Sequence, residues 1–307
     1  MSYTSLPEID GLIDETGLDR EALGLIVAES LAEDLGGRGV LPPGSGAGVD
    51  VTSVATIPAD QVVRGEFVAR QSGVVAGMAV AAYVVAVVCA PEGEFEIDIQ
   101  VRDGAAVARG DVLMAVSGNA RALLRAERVA LNLLTLMSGV ATATRDWVRA
   151  LDGTATRVRD SRKTTPGLRM VQKYAVRVGG GVNHRMSLAD AALIKDNHVI
   201  AAGGVVAAYR AVRKAFPTLE VEVEVTTIQQ ARDVIAAGAA DILLDNMSLE
   251  QLTQVVAELG DQATFEASGG LTLADAAEVA GTGVDFVAVG AITHSVKILD
   301  IALDLTI

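Results

Sequence analysis

EVEVEVTTIQQARDVIAAGAADILLDN, residues 220–246, holds the pattern on which the fold turns. A run of alternating Glu and Val ends at Val225. A stretch with helical spacing follows, and a second apolar run at 241–246 closes on Asp245 and Asn246. Short β-rich runs separated by helical patterns predict βα units, and with them a parallel sheet. The same grammar extends outward in both directions. Runs at 155–160 and 192–196 precede the quoted stretch, and runs at 263–270 and 285–292 follow it. The last four of the six recur about every twenty-two residues, a length that suits one short βα unit. Closed round, they give a (β/α) barrel, whose chemistry sits at the C-terminal ends of its strands. The residues at those ends are Arg162, Lys163, Lys195, Asp196, Glu224, Asp245, Ser268, Gly269, Gly270 and Gly290. A doubly wound open sheet would want GxGxxG after a strand, and Gly179-Gly180-Gly181 does not match that motif.

Residues upstream of about 118 read as a separate unit. Asp19 is placed to cap a helix carrying Leu23, Ile26, Val27, Ser30 and Leu31, which Gly36-Gly37 stops. The Gly/Pro-rich stretch 36–48 reads as a surface loop. Alternation predicts strands over 62–70 and 95–101, and Asp103-Gly104 signals a turn. Asn119 is placed to cap a long helix through about Met137. Arg121, Arg125 and Arg128 share one side of it, and Leu124, Leu131 and Leu134 supply core contacts. Val74 to Ala90 carries no charge over seventeen residues. It falls short of the roughly 20 strongly apolar residues a membrane span needs, and reads as a buried Ala-rich helix.

Composition narrows the class. Half of the 307 residues are hydrophobic, enough for a real core, and a single Cys excludes an intrachain disulfide framework. A reducing cytoplasm suits this cysteine usage, and no signal peptide is evident. The formal charge of −14 argues against wholesale nucleic-acid binding, and neither nucleic acid nor membrane is expected as a partner. The charge is unevenly spread. Between 121 and 195 there are fourteen Lys/Arg against five Asp/Glu, a net of +9, whereas the rest of the chain carries −23. Concentrated cations repel one another unless anions are to be bound there; the alternative is a solvated basic face. Gly clusters and strand ends lie beside these cations, which favours a small polyanionic ligand.

Several side chains invite chemistry. Ser268-Gly269-Gly270 and Gly290 end the last two predicted strands. Backbone N–H groups hold a phosphate at this place in barrels, although ordinary strand-to-helix turns also use glycine. Glu224 and Asp245 end neighbouring strands. They suit Mg²⁺ as hard oxygen ligands, or act as an acid/base pair, or one of them merely orients a cation. Glu220 and Glu222 alternate with Glu224, and it is position at the strand end that selects Glu224. Lys195 permits a Schiff-base reading, but Arg162, Lys163, His184 and Arg185 in the same basic segment make anion binding the better account. His184 and His198 lack the companions a zinc site needs.

The run DSRKTTPGLRMVQKYAVRVGGGVNHRMSLADAALIKDNHV, residues 160–199, closely resembles the quinolinate phosphoribosyltransferase family. AEDLG at 32–36, DVTS at 50–53, ERVALNLL at 127–134, EVEV at 222–225, LLDN at 243–246, EASGG at 266–270 and VGAITHS at 289–295 extend the resemblance over nearly the whole chain, in order. It implies an N-terminal α/β sandwich and a C-terminal incomplete (β/α) barrel. The expected boundaries are 1–137, with the tail 295–307 returning to it, and 138–294. It implies a homodimer in which each N-terminal domain caps the partner's barrel. It also implies transfer of phosphoribose from phosphoribosyl pyrophosphate to quinolinate, with loss of CO₂, on the route to NAD.

Under the resemblance, Arg162, His184 and Arg185 bind quinolinate, with Arg128 supplied by the neighbouring subunit. Lys163 and Lys195 lie near the carboxylates and the pyrophosphate. Glu224 and Asp245 meet ribose and Mg²⁺, and Ser268, Gly269, Gly270 and Gly290 hold the 5-phosphate. Ser161 and Gln172 stand where many members have Thr and Glu, and 41–48 looks like an insertion. Three other readings compete: a paralogue with another acceptor, a Schiff-base lyase using Lys195, and a non-catalytic sensor of phosphorylated sugars.

Overall fold

The computed structural model describes residues 1–37 and 48–306, so the loop expected at 36–48 lies largely outside the described residues. The chain forms two compact units. Met1–Thr142, Pro166–Gly179 and Val296–Ile307 make one, and Ala143–Thr165 with Gly180–Ser295 make the other. Residues 166–179, read from the sequence as part of the barrel, thus group with the first unit.

The first unit runs β1 (Ser2–Tyr3), α1 (Leu6–Thr16), α2 (Arg20–Asp34), α3 (Val51–Thr56), β2 (Val62–Ala69), β3 (Gly73–Val74), α4 (Met78–Cys89), β4 (Glu96–Ile99), β5 (Ala106–Val107), β6 (Val112–Asn119) and the start of α5 (Ala120–Ala150). The chain continues through β7 (Arg157–Arg159), α6 (Arg169–Gly179), β8 (Ala192–Ile194), α7 (Asp196–Ala202), α8 (Val205–Ala215), β9 (Val221–Val225), α9 (Ile228–Ala236), β10 (Asp241–Asp245), α10 (Leu249–Leu259), β11 (Thr264–Ser268), α11 (Ala276–Gly281), β12 (Phe286–Ala288), α12 (Ala291–His294) and β13 (Ile301–Thr306).

In the first unit five strands pair in the order β1-β4-β6-β2-β13, and each neighbouring pair is antiparallel. β2 alternates exposed and buried residues until its register with β6 shifts between Phe67 and Val68. Such a bulge turns the strand and ends the alternation. Phe67, Ile97, Leu113 and Met114 carry the buried side of the sheet, with Ile9 and Ile13 of α1 and nearly all of α4 also buried. α4 is shorter than the run that predicts it, because Val74 is spent on β3. Asp103 sets its start: its carboxylate accepts from the backbone N–H of Gly77 and of Met78, each at 2.9 Å. An anion at this end meets otherwise unpaired donors and the positive pole of the helix. Tyr174 of α6 donates its hydroxyl to the same carboxylate at 2.7 Å. Burial pushes the Cys89 thiol at the other end of α4 up to about 12, so it is a packing residue.

Asn119 caps α5 as its sequence predicts, accepting from Ala122 N at 3.1 Å. Leu123, Ala126, Ala130, Leu134 and Met137 are all buried and recur at three- and four-residue spacing, one continuous stripe. The helix does not end near Met137 but runs on to Ala150, and Leu124 is only half-buried.

In the second unit six strands pair in the order β7-β12-β11-β10-β9-β8, every pair parallel. All six β-rich runs are therefore strands of one sheet. Its margin strands β7 and β8 do not pair with each other, which leaves the (β/α) ring incomplete. Alternation puts Glu222 and Glu224 of β9 on one side and Val221, Val223 and Val225, all buried, on the other. No helix among the described residues is long and apolar enough to cross a membrane.

Candidate active site

The chemistry gathers at the ends of the six parallel strands. Just past β7, Asp160 is fully buried and accepts from Asn183 Nδ2 at 2.6 Å and from His184 N at 2.8 Å. This ties the strand end to the loop that carries His184 and Arg185. Three residues on, Lys163 O accepts from Thr293 Oγ1 of α12 at 2.8 Å. Gly290 permits this approach: a Cβ there would lie 2.9 Å from Lys163 Cδ.

A cavity of ≈ 270 Å³ results, with Arg162, Lys163, His184, Arg185, Lys195, Glu224, Ser268 and Gly290 in its lining. Eight of the residues singled out in the sequence thus surround one space, together with Leu193, Leu243, Ala288 and Glu266. Asp245 lies beside it as the cross-strand partner of Ser268, and its Oδ2 accepts from Asn246 Nδ2 at 2.7 Å. Gly269 and Gly270 follow Ser268 with φ of 112° and 61°, a region open to glycine. A second cavity of ≈ 430 Å³ reaches His184 and Arg185 from the start of the strands. Glu220, Glu222 and Asp241 line it together with Arg159, a mixed wall that lacks the excess of cations seen in the first cavity.

The charged side chains order themselves by height. Lys195 Nζ lies 3.9 Å from Glu224 Oε2. Burial raises the Glu224 carboxyl above its ordinary range; Lys195 opposes this and the Asp245 charge adds to it. Two carboxylates that repel each other, with oxygen as the only donor atom, suit a hard divalent cation such as Mg²⁺. One layer deeper, Arg159 Nη1 lies 2.7 Å from Glu266 Oε2 and 3.8 Å from Glu222 Oε1, and its guanidinium sits 3.8 Å over the Phe286 ring. Glu222 Oε2 is 2.5 Å from His184 Nε2. His184 Nδ1 accepts from Arg185 N at 2.7 Å, so Nε2 carries the ring proton and donates it to Glu222. Burial pulls the Arg185 guanidinium below its ordinary value, and the Arg162 charge beside it works the same way. That repulsion between neighbouring cations is relieved by an anion.

His184, Glu222 and Glu266 have ligand atoms within 4.8 Å of one another. They do not suit a metal. Nδ1 of His184 already takes a backbone N–H, whereas a ligating imidazole donates from its second nitrogen, and Arg159 supplies the positive charge. His198 is structural, as its lack of companions suggests: its Nδ1 accepts from Lys195 N at 3.0 Å at the start of α7.

Arg128 belongs to the first unit and is exposed on α5, with Glu127 at 4.0 Å. Of the three arginines sharing that side, Arg121 is bound to the Ile57 and Val54 carbonyls and Arg125 to Glu92. Arg159, Asp160, Glu266 and Thr293 escape the sequence argument, which weighs Glu222 by parity but sets it aside for Glu224 at the strand end. Strand parity, which brings Glu222 into view, could also have found Glu266, because it lies two residues before Ser268 on the same face.

Comparison with known proteins agrees over both units. The family model described as quinolinate phosphoribosyl transferase, C-terminal domain, matches residues 140–304, and its N-terminal counterpart matches 50–138. A nicotinate-nucleotide pyrophosphorylase [carboxylating] of Mycobacterium leprae is 53% identical over 262 residues, 84% of this chain and 92% of the relative. A probable nicotinate-nucleotide pyrophosphorylase [carboxylating] of Bacillus subtilis is 42% identical over 265 residues, 84% of this chain and 88% of the relative. The solved nicotinate-nucleotide pyrophosphorylase of Francisella tularensis superposes with a TM-score of 0.85 at 34% identity, covering 94% of this chain and 98% of its own.

Proposed function

Because the chain belongs to the quinolinate phosphoribosyl transferase family, we propose that it joins quinolinate to the phosphoribosyl group of phosphoribosyl pyrophosphate, releasing pyrophosphate and CO₂ and forming nicotinate mononucleotide for NAD synthesis. The observation that carries this reading is one small cavity in which Arg162, Lys163, Arg185 and Lys195 stand with Glu224 and with Ser268, from which the Gly269-Gly270 turn leads away. Quinolinate brings two carboxylates and the sugar donor a phosphate and a pyrophosphate. An arginine grips a carboxylate through two parallel N–H donors, and a lysine meets phosphate as a point charge.

Arg162, His184 and Arg185 hold the pyridine diacid against Leu193 and Leu243. Because His184 Nε2 donates to Glu222 in this structure, its contact with substrate requires the ring to give up that bond. Lys163 and Lys195 take the charge between acceptor and donor, and backbone N–H groups at Ser268–Gly270 and Gly290 take the 5-phosphate. Glu224 and Asp245 fix the ribose hydroxyls and would hold Mg²⁺, which supplies countercharge to pyrophosphate when bound. With the ring nitrogen held in line with the anomeric carbon, most of the protein's work is positioning. The new bond makes the ring cationic, so it can accept the electron pair left when the neighbouring carboxylate departs. Arg128 completes this site in a second copy of the chain, within a homodimer.

Lys195 is half exposed with Glu224 as its near neighbour, whereas a nucleophilic lysine sits in an apolar pocket or beside another cationic group, which disfavours the Schiff-base reading. The test is direct. Purified protein with Mg²⁺, quinolinate and phosphoribosyl pyrophosphate is expected to yield equal amounts of CO₂ and pyrophosphate. No turnover with quinolinate, together with turnover of another pyridine acid, would assign the site to a different acceptor.

A further inference from the structure

The proposed reaction breaks the bond between C2 of the pyridine ring and its carboxyl group, and C2 must then gain a proton. Few groups around the cavity are placed to supply one. The His184 Nε2 proton, held by Glu222 here, goes to a substrate carboxylate when the diacid binds. Lys163 and Lys195 are needed as cations for the two anionic substrates. Glu224 faces Lys195 and Asp245.

Glu266 differs from all of these. It is 1% exposed, lines the cavity, and divides its two oxygens between unlike tasks. Oε2 is held by Arg159 at 2.7 Å, and Oε1 is buried with no hydrogen-bond partner. A buried oxygen left unmatched calls for an explanation, because it forfeits its hydration without return. A bound substrate that takes its proton provides one.

The geometry points to Glu266 as the acid that delivers the proton to C2 when the carboxyl group leaves. The inference rests on the proposed reaction. When the bond from C2 to the carboxyl carbon breaks, its electron pair stays on C2 and CO₂ departs. C2 then takes the proton from Oε1 of Glu266, forming the C–H bond of the product. The O–H electron pair remains on Glu266 as a carboxylate, which Arg159 receives. Solvent restores the proton before the next turnover.

The surroundings keep that proton available. Burial, reinforced by the Glu222 charge from β9, raises the Glu266 carboxyl to about 7, against the pull of Arg159 on β7 and of His184. Arg162, Lys163 and Arg185 also face the cavity, and a bound diacid answers their charge. A second anion placed beside Glu266 favours its neutral form further.

The variants Glu266→Gln and Glu266→Asp of the full chain test this with Mg²⁺, quinolinate and phosphoribosyl pyrophosphate. Gln keeps the shape and removes the acid. A positioned acid is worth about 100-fold or more in rate, so kcat is expected to fall by that factor. Both KM values should stay within about threefold, since binding is untouched. The wild-type kcat should fall as pH rises through the region where Glu266 ionises, and Gln should lose this limb. Asp, one methylene short, should show an intermediate kcat with unchanged KM; it decides the question if the Gln variant does not fold. A kcat within about threefold of wild type in a folded variant, or a KM for quinolinate that rises while kcat holds, would overturn the assignment. Absence of turnover in the wild type would instead overturn the reaction itself.

Discussion

Asn246 adopts φ 53°, the sole non-glycine residue with positive φ among those described, and it does so beside the proposed phosphate turn. Its backbone N–H donates to Ser268 O at 2.9 Å. A Cβ on Gly269 would stand 2.3 Å from its Oδ1 and 3.0 Å from its Cα. Gly269 itself has φ 112°, so both conformation and space demand glycine. Gly269→Ala is therefore expected to lose about 1–3 kcal/mol of stability in denaturant melts, from backbone strain. It should also raise KM for phosphoribosyl pyrophosphate several-fold, while KM for quinolinate moves less. At this scale the sequence was legible where a residue ends a strand. Glu224 and Ser268 stand out by position, but Glu222 and Glu266, one layer deeper, look like ordinary strand residues until Arg159 is seen between them.

Helix ends were harder to read than helix faces. Just past Met137, where the sequence reading ends α5, Ser138 and Gly139 are both used for packing inside the longer helix. Ser138 Oγ accepts from Ala76 N at 3.1 Å and donates to Ala76 O at 3.2 Å. Gly139 makes room for a backbone: a Cβ there would lie 2.3 Å from Lys297 O and 3.0 Å from Ile298 Cα. Intrinsic propensity alone says that Ala at a helical glycine gains about 1 kcal/mol. Gly139→Ala is instead expected to destabilise the protein, seen as a lower Tm, because a backbone carbonyl cannot swing aside as a side chain does. Asp103 shows the same limit. As a turn residue beside Gly104 it was readable, but its service to α4 depends on Gly77 and Met78, some twenty-five positions earlier. Local pattern carries no information about such partners.

Across the whole molecule, the parallel sheet was the most legible feature, because repetition every βα unit constrains topology as well as element type. The membership of residues 166–179 in the first unit was not legible, since it is decided by contacts distant in sequence, such as Tyr174 with Asp103. The proposed sharing of sites between two copies predicts complementation. Arg128→Ala and Lys195→Ala should each be inactive alone. Mixed under conditions that exchange subunits, they should recover part of the wild-type rate, because some mixed dimers contain one intact site. A mixture as inactive as its components would show that Arg128 does not act across subunits. The pairing of β13 with β2 has a consequence for biosynthesis. Residues 301–306 emerge from the ribosome only after the entire second unit, so the first sheet keeps an open edge at β2 while that unit is being made. The nascent chain is most exposed to misassociation in that interval, and chaperone dependence should be greatest for variants that lack this final strand.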